Sequence, residues 1–466
     1  MRDVIDAARA AERRDAGWVF AVALCARLAV VVWARSTFPP AADGQYYHVL
    51  ATRLARGLGY TWAWPDGAVT AAAHYPVGYP ALLAPLYALF APSPTVAMAL
   101  GAVLGALGAA AASRLTRPFG RRASLIAGLV VGLHPALVPY TAALMTEGVA
   151  AAALVVAAAL LVGDAASPPR GRALASAGVV MGLVTLIRPQ CVVLAPVLGA
   201  LAGGVGWALV ARARAAAIVT ACALAVVAPW TARNCVAMHR CALVSVNGGW
   251  NLLIGTATRN GAWQPVDVPP ACREVWDEAG KDSCFEREAR LVLARDPWAA
   301  IARAPAKLDV TFDYFGAAPW YLHEANPAAF DDEAKKALGT VDLVASRLAL
   351  LFALVALGRR ALASRRVGDS PRIWASSLVL VTMGAISAVS RHATFGYLAL
   401  AAALLADPAW RRDRSRLVLP FTGAVVLSVA ATHAVFFGAG RYGLVVLPLV
   451  SAVAALTADR PLAKED

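Results

Sequence analysis

Long apolar runs recur along this chain from Gly17 to Thr457, separated by short clusters rich in arginine. A helix needs about twenty predominantly apolar residues to cross the hydrocarbon core of a bilayer. On that measure the runs 17–34, 95–113, 123–140, 147–162, 173–187, 191–210, 215–230, 341–357, 373–390, 394–406, 417–437 and 443–457 predict about twelve transmembrane helices. When these crossings alternate, every short basic cluster falls on one face: Arg114 to Arg122, Arg170 and Arg172, Arg212 and Arg214, Arg359 to Arg372, and Arg411 to Arg416. The positive-inside rule assigns that face to the cytoplasm, together with the N-terminal arginines and the charged tail 459–466. Both termini are therefore expected inside. The first run is followed by Phe38-Pro39-Pro40 and not by a small-x-small site, so it reads as an anchor.

Two stretches break the alternation. In the first loop, 35–94, Tyr47, Leu50, Ala51, Leu54 and Leu58 share one helical face, with Arg53 and Arg56 off it. This spacing predicts a short interfacial helix ended by Gly57 and Gly59. The run 77–89 carries Pro80 and Pro85 and is too short to span, so it is expected to be re-entrant or interfacial. A crossing there would also put Arg114, Arg117, Arg121 and Arg122 outside. The second stretch, 231–340, is polar and by parity faces the same outer side. Asn247-Gly248-Gly249 reads there as a turn, and Ser283 to Glu286 as a capping box opening a helix that runs to Pro297. The expected organisation is an all-α polytopic protein with a transmembrane module 1–230, an external α-rich segment 231–340 and a C-terminal helical set 341–466.

Composition agrees with a polytopic chain. The 466 residues are 59% hydrophobic and 15% charged, against about 25% charged in soluble domains. The net charge of +14 could suggest nucleic acid, but its arginines lie in loops between apolar runs, so no nucleic-acid partner is expected. Four of the seven cysteines, Cys235, Cys241, Cys272 and Cys284, lie in the outer segment, where three disulfide connectivities are possible. The local pairing joins Cys235 to Cys241 and Cys272 to Cys284. Cys25, Cys191 and Cys222 sit in apolar runs as inert side chains, and Gly101, Gly105 and Gly108 read as helix-packing surfaces. A P-loop, a zinc-type spacing and a GxGxxG before a helix are all missing from the chain, so nothing supports nucleotide binding.

Ionisable groups at membrane depth or at its edge are costly and mark functional positions. On the outer side they gather as Asp43, Glu147, Arg188, Arg233 and Arg441, with the histidines His48, His74, His134, His239, His323, His392 and His433 on or near the same side. The runs DGQYY, LATRLARGLGY and HYPVGYPALLAPLYALF resemble the first external loop of the GT-C membrane glycosyltransferases, most of all glycosyltransferase family 39. HPALVPYTAALMTEGVAAAAL, GLVTLIRPQ, PWTARN with SVNGGWNLLIG, and HAVFFGAGRYGLVVLPLV are similar to that family's later landmarks, in order.

The resemblance implies a GT-C fold in a bacterial plasma membrane. It also implies transfer of a sugar from a polyprenyl-phosphate donor to a hydroxyl of a lipid, glycan or protein, outside the cytoplasm and with inversion. A carboxylate is needed to take the acceptor proton, and Asp43 is the candidate; its alternative is to cap the interfacial helix. Glu147 would orient the acceptor or Asp43, or stabilise a helix start. Arg441, Arg188 and Arg233 are candidates for the lipid phosphate, with membrane anchoring the alternative for Arg233. Tyr46, Tyr47, His74, Tyr79, Asn247 and Tyr442 are the expected pocket. The family often has a second acid after the first, where this chain has Gly44, which leaves open how the acceptor or a divalent metal would be held. The rival reading is a transporter or lipid flippase, which should show paired half-repeats; none is evident.

Overall fold

The structure, a computed structural model, describes residues 2–163, 169–203, 208–313, 315–366, 371–390, 392–407, 410 and 413–458. Arg411, Arg412 and the tail 459–466 lie outside them.

The first helix, α1 (Arg2–Ala34), leads into a loop that carries α2 (Asp43–Ala55), a hairpin of β1 (Thr61–Ala63) and β2 (Val69–Ala71), and α3 (Gly78–Phe90). The hairpin is antiparallel, with Trp62 opposite Thr70, and it corrects the all-helical expectation. Its cause is local. Asp66 accepts the Ala68 N–H at 3.0 Å and Gly67 takes φ 86°, a turn that a polar interval with Pro65-Asp66-Gly67 supports. α2 stops where Gly57 (φ 70°) and Gly59 (φ 71°) turn the chain.

Next come α4 (Pro94–Thr116), α5 (Arg121–Leu133), α6 (Glu147–Leu161), α7 (Gly171–Ile187), α8 (Leu194–Ala202) and α9 (Leu209–Ala237). α1 packs on α4 and α5, α4 on α6, α6 on α7, and α9 on both α7 and α8. The expected run 191–210 is corrected: α8 ends at Ala202, and Leu209 and Val210 already belong to α9 with Arg212 and Arg214. Likewise α5 stops at Leu133, because His134-Pro135 ends the helical ladder.

The 231–340 stretch holds α10 (Gly248–Ala257), α11 (Glu278–Arg295), α12 (Pro297–Phe312) and α13 (Ala317–Ala325). Two expectations change here. α11 starts earlier than Ser283, capped by Asp277, whose carboxylate accepts the Gly280 N–H at 2.6 Å. The Ser283 hydroxyl instead donates back to Ala279 O at 2.8 Å within the helix. Asn247-Gly248-Gly249 is a helix start and not a turn. Gly249 is needed because a Cβ there would lie 1.9 Å from Asp282 O, so α10 and α11 touch backbone to backbone. Both local disulfides form, Cys235–Cys241 and Cys272–Cys284.

The chain closes with α14 (Asp332–Arg366), α15 (Pro371–Val389), α16 (Ala393–Ala406), α17 (Val418–Val435) and α18 (Leu447–Ala454). α14 packs on α15 and α18, and α16 on α15 and α17. Among the described residues, five stretches are long and apolar enough to cross a membrane: Ala10–Ala34, Pro94–Phe119, Leu209–Ala237, Asp332–Ala363 and Val418–Val435. Seven shorter apolar helices accompany them among the described residues: Gly78–Phe90 falls short of a span as expected, but so do Glu147–Leu161, Gly171–Ile187 and Ala393–Ala406, which the runs predict as spans. A continuous core of Ala, Val and Leu runs from Val19 to Leu456. Small side chains let the helices approach closely, which suits packing in lipid, where there is no hydrophobic drive between helices.

Candidate functional site

Ala42 precedes α2 with φ 48°, a left-handed conformation that costs a residue with a Cβ about 1–3 kcal/mol and that clusters at functional sites. Asp43 is the first residue of α2. Ala42 is itself the N-cap, and no side chain caps α2. The Asp43 carboxylate meets Arg441 Nη1 at 2.6 Å through Oδ2 and accepts the Tyr75 hydroxyl at 3.4 Å through Oδ1. Asp43 is therefore not the N-cap of α2.

Arg441 lies in the turn Gly440–Val445 that follows α17. α12 and its neighbours hold that turn in place. The Lys307 ammonium donates to the last carbonyls of α17, Ala434 at 3.3 Å and Val435 at 2.9 Å, and burial pushes its pKa down to about 8. Gly438 N donates to Gly261 O at 2.8 Å, so the 231–340 stretch also grips this turn. From there the Arg441 guanidinium reaches three groups: Asp43, the Tyr442 hydroxyl at 3.4 Å, and Glu147 Oε1 at 3.5 Å from Nε.

Glu147 begins α6 and is 1% exposed. Its Oε1 accepts from Arg188 Nη1 at 2.9 Å and its Oε2 from the Tyr140 hydroxyl at 2.9 Å. Arg188, 8% exposed at the end of α7, also donates to Thr146 Oγ1 at 3.2 Å. The result is a continuous chain, Asp43–Arg441–Glu147–Arg188, drawn from four separate parts of the sequence. A buried carboxylate is tolerated only when paired and fully hydrogen-bonded, and two guanidinium groups with a tyrosine meet that need here. The open end of the chain is Asp43, whose side chain is 31% exposed, with Arg441 at 23%.

Tyr442 belongs to the same cluster. It stacks on His433 at 4.0 Å, and the guanidinium carbons of Arg188 and Arg441 lie 5.1 and 5.2 Å from its ring centre. Tyr46 is 40% exposed and stacks on Tyr75 at 4.7 Å, with Trp62 at 5.3 Å. Tyr47 and Tyr79 are buried packing partners, edge-on at 5.6 Å. His74 sits edge-on to Tyr75 and Trp250, and burial lowers its pKa although Glu278, Asp282 and Asp43 pull it up. Asn247 accepts from the Ser245 hydroxyl at 3.0 Å at the start of α10, outside the charged chain.

Arg233 also stands apart. Its two terminal nitrogens donate to Ala72 O and Tyr60 O, each at 2.8 Å, and its fork lies over Trp230 at 4.8 Å. It ties the hairpin loop to α9. Gly44 is buried where an added Cβ would lie 2.8 Å from the Tyr321 hydroxyl and 3.2 Å from Leu144 O. That hydroxyl itself accepts the N–H groups of Ala41 and Leu144. The fold has filled the place of a second acid with a tyrosine from α13. Among the described residues, no group of three or more His, Cys, Asp or Glu side chains could hold a metal ion.

Sequence reasoning passed over Tyr75, Tyr140 and Thr146, because nothing in spacing marks a hydroxyl as the partner of a distant carboxylate. It also passed over Arg27, which carried a direct signal as a cation inside the first apolar run. Arg27 is 2% exposed and donates to Gly132 O at 2.5 Å and Val131 O at 3.4 Å at the end of α5. Beside it, a cavity of about 40 Å³ reaches Tyr79 and Tyr140, room for a few waters.

Residues 74–232 match the family model for dolichyl-phosphate-mannose-protein mannosyltransferase. No curated protein sequence matches the chain. Among solved structures it is similar to the oligosaccharyltransferase AglB of Archaeoglobus fulgidus in complex with an inhibitory peptide and a dolichol-phosphate. The identity is 14% and the TM-score 0.43, over 95% of this chain and 50% of that one. The apo form of the Archaeoglobus fulgidus oligosaccharyltransferase gives 15% and 0.45, over 94% and 50%. ArnT of Cupriavidus metallidurans bound to undecaprenyl phosphate gives 15% and 0.41, over 96% of this chain and 78% of that one. The chain spans about half the length of the archaeal enzyme.

Proposed function

We propose that this chain, which carries the mannosyltransferase family signature over residues 74–232 and resembles the GT-C membrane glycosyltransferases, transfers a sugar from a polyprenyl-phosphate donor to a hydroxyl acceptor at the extracytoplasmic membrane face, with inversion. The observation that carries this reading is a partly exposed carboxylate, Asp43, lying 2.6 Å from a guanidinium, Arg441, that is itself backed by the buried Glu147–Arg188 pair.

In the reaction the acceptor oxygen bonds to the anomeric carbon while its proton passes to Asp43. The bond from that carbon to the phosphate oxygen breaks, and its electron pair stays on the phosphate. Attack opposite the leaving group inverts the centre. Arg441 neutralises the departing phosphate, and Arg188 supports it from behind. In the resting protein Asp43 occupies Arg441, so a donor phosphate competes for the guanidinium and frees the carboxylate to act as base. Glu147 stays in place throughout and keeps both arginines charged and aimed. Tyr46, with Trp62 behind it, offers an aromatic face to a sugar or acceptor entering beside Asp43. Arg233 is assigned to holding the loop and not to the phosphate. The domain plan expected from the sequence accompanies this reading, with 35–94 and 231–340 on the outer side and both termini cytoplasmic.

Purified protein given a polyprenyl-phosphate sugar and candidate acceptors tests the proposal. Product that disappears in a folded Asp43→Asn variant supports it. Lipid movement across vesicles without sugar transfer would replace it with a flippase. A thiol-labelling scan that modifies 231–340 from the cytoplasm would overturn the sidedness.

A further inference from the structure

From the geometry we infer that Glu278, at the start of α11 and not in contact with Asp43, is a positioning residue that sets Asp43 through Tyr75; the inference rests on Asp43 being the base. Glu278 Oε2 accepts two consecutive backbone N–H groups of the first loop, Ala73 at 2.6 Å and His74 at 2.9 Å, across some two hundred residues of sequence (separations 205 and 204). A carboxylate that accepts two main-chain donors makes charge-assisted bonds, the strong class of hydrogen bond.

The same short segment is held on its other sides. Val246 N donates to Ala73 O at 2.9 Å, Arg233 holds Ala72 O, and the Tyr60 hydroxyl donates to Tyr75 O at 2.8 Å. Ala73 is fully buried against Met238, Val246 and Ala279. Asp277 caps α11 one residue earlier, so the Glu278 side chain projects from a fixed helix end.

The next residue out of this clamp is Tyr75. Its hydroxyl is the one neutral donor on Asp43 among the described residues, and its ring lies against both Tyr46 and Tyr47 of α2. Asp43 is thus set between two anchors: Arg441 from the C-terminal turn and Tyr75 from a loop whose position the 231–340 stretch dictates. Without Glu278, Ala73 N and His74 N lose their acceptor. The segment is then free to shift, and a displacement near 1 Å at a reacting group can cost about a hundredfold in rate.

The test is a double-mutant cycle on the full-length protein in detergent or nanodiscs, with amide exchange beside it. Glu278→Ala should lower kcat by about 10- to 100-fold with donor KM unchanged, and Glu278→Gln, which keeps an acceptor oxygen, should recover most of it. In a Tyr75→Phe background, Glu278→Ala should add less than about twofold, because both act on one carboxylate. Losses that multiply, or a Glu278→Ala enzyme with wild-type kcat, overturn the proposal. If Glu278→Ala does not fold, the cycle is run with Glu278→Gln, whose smaller loss must still fail to multiply. Amide exchange over residues 72–76 reads the clamp without any turnover and should quicken clearly in Glu278→Ala and less in Glu278→Gln. An unchanged exchange rate overturns the clamp, whereas a wild-type protein that transfers no sugar to any acceptor overturns only the proposed function.

Discussion

Two arginines at the ends of apolar helices, Arg441 and Arg233, show how one residue type is put to opposite uses. Arg441 lies just after α17 and Arg233 in the last turns of α9, both apolar helices. Arg441 ends on carboxylates, Asp43 at 2.6 Å and Glu147 at 3.5 Å, in a cluster that stays open at Asp43. Arg233 ends on carbonyls, Ala72 O and Tyr60 O, and closes over Trp230. A guanidinium on carbonyls has its hydrogen bonds met by the fold and little left to offer an anion. A guanidinium shared between two carboxylates can exchange one of them for a phosphate. The partner of an arginine therefore separates a site from a brace, and the sequence neighbourhoods PWTARN and GAGRYG do not reveal the partner.

The comparison can be broken in several ways. The largest effect is expected at the carboxylate that Arg441 shares: Asp43→Asn should lower kcat by about 10²- to 10⁴-fold, the usual worth of general-base help, in sugar-transfer assays with unchanged circular dichroism. A smaller loss would move the base elsewhere. Glu147→Gln should follow in size, because it strips the counter-ion from the buried Arg188 and one of the two carboxylates from Arg441. Breaking such a pair costs about 3–5 kcal/mol, which thermal melting in detergent would register together with lost activity. Arg441→Lys keeps a charge but not the fork, so donor KM should rise while the melting temperature holds. Arg233→Ala should do the reverse, costing about 1.5–3 kcal/mol per charged hydrogen bond lost while leaving donor KM unchanged in folded protein. A donor KM that rises in Arg233→Ala would erase the distinction drawn here.

The smallest effect concerns pH. Burial holds the His74 pKa below its ordinary 6.5. As pH falls below that value the unfolded chain takes a proton that the folded one resists, so stability drops on acidification. His74→Gln should flatten that slope in melting curves between neutral and mildly acidic pH.

The chain's own pattern pointed to a mostly helical membrane protein and to where the costly charges lie. Those results follow from the thickness of a bilayer and the expense of placing charge near it, both of which act on local runs of residues. The pattern also marked Asp43, Glu147, Arg188 and Arg441 as candidates, because an ionisable group beside apolar sequence stands out without a structure.

Only the tertiary structure decided which charges meet. It joined Asp43 to Arg441 across a separation of 398 residues, sent Arg233 to carbonyls and filled the space beside Gly44 with Tyr321. It also drew in Tyr75, Tyr140 and Glu278, residues with no distinguishing local context. Hydrogen-bond partners at such distances are set by how helices pack, and packing is a property of many side chains at once. Short-range features were decided by single atoms: Asp277 moved the start of α11, and the close approach of Gly249 to Asp282 turned an apparent turn into a helix. Periodicity can announce a helix, but what its ends hold depends on what the fold brings to them.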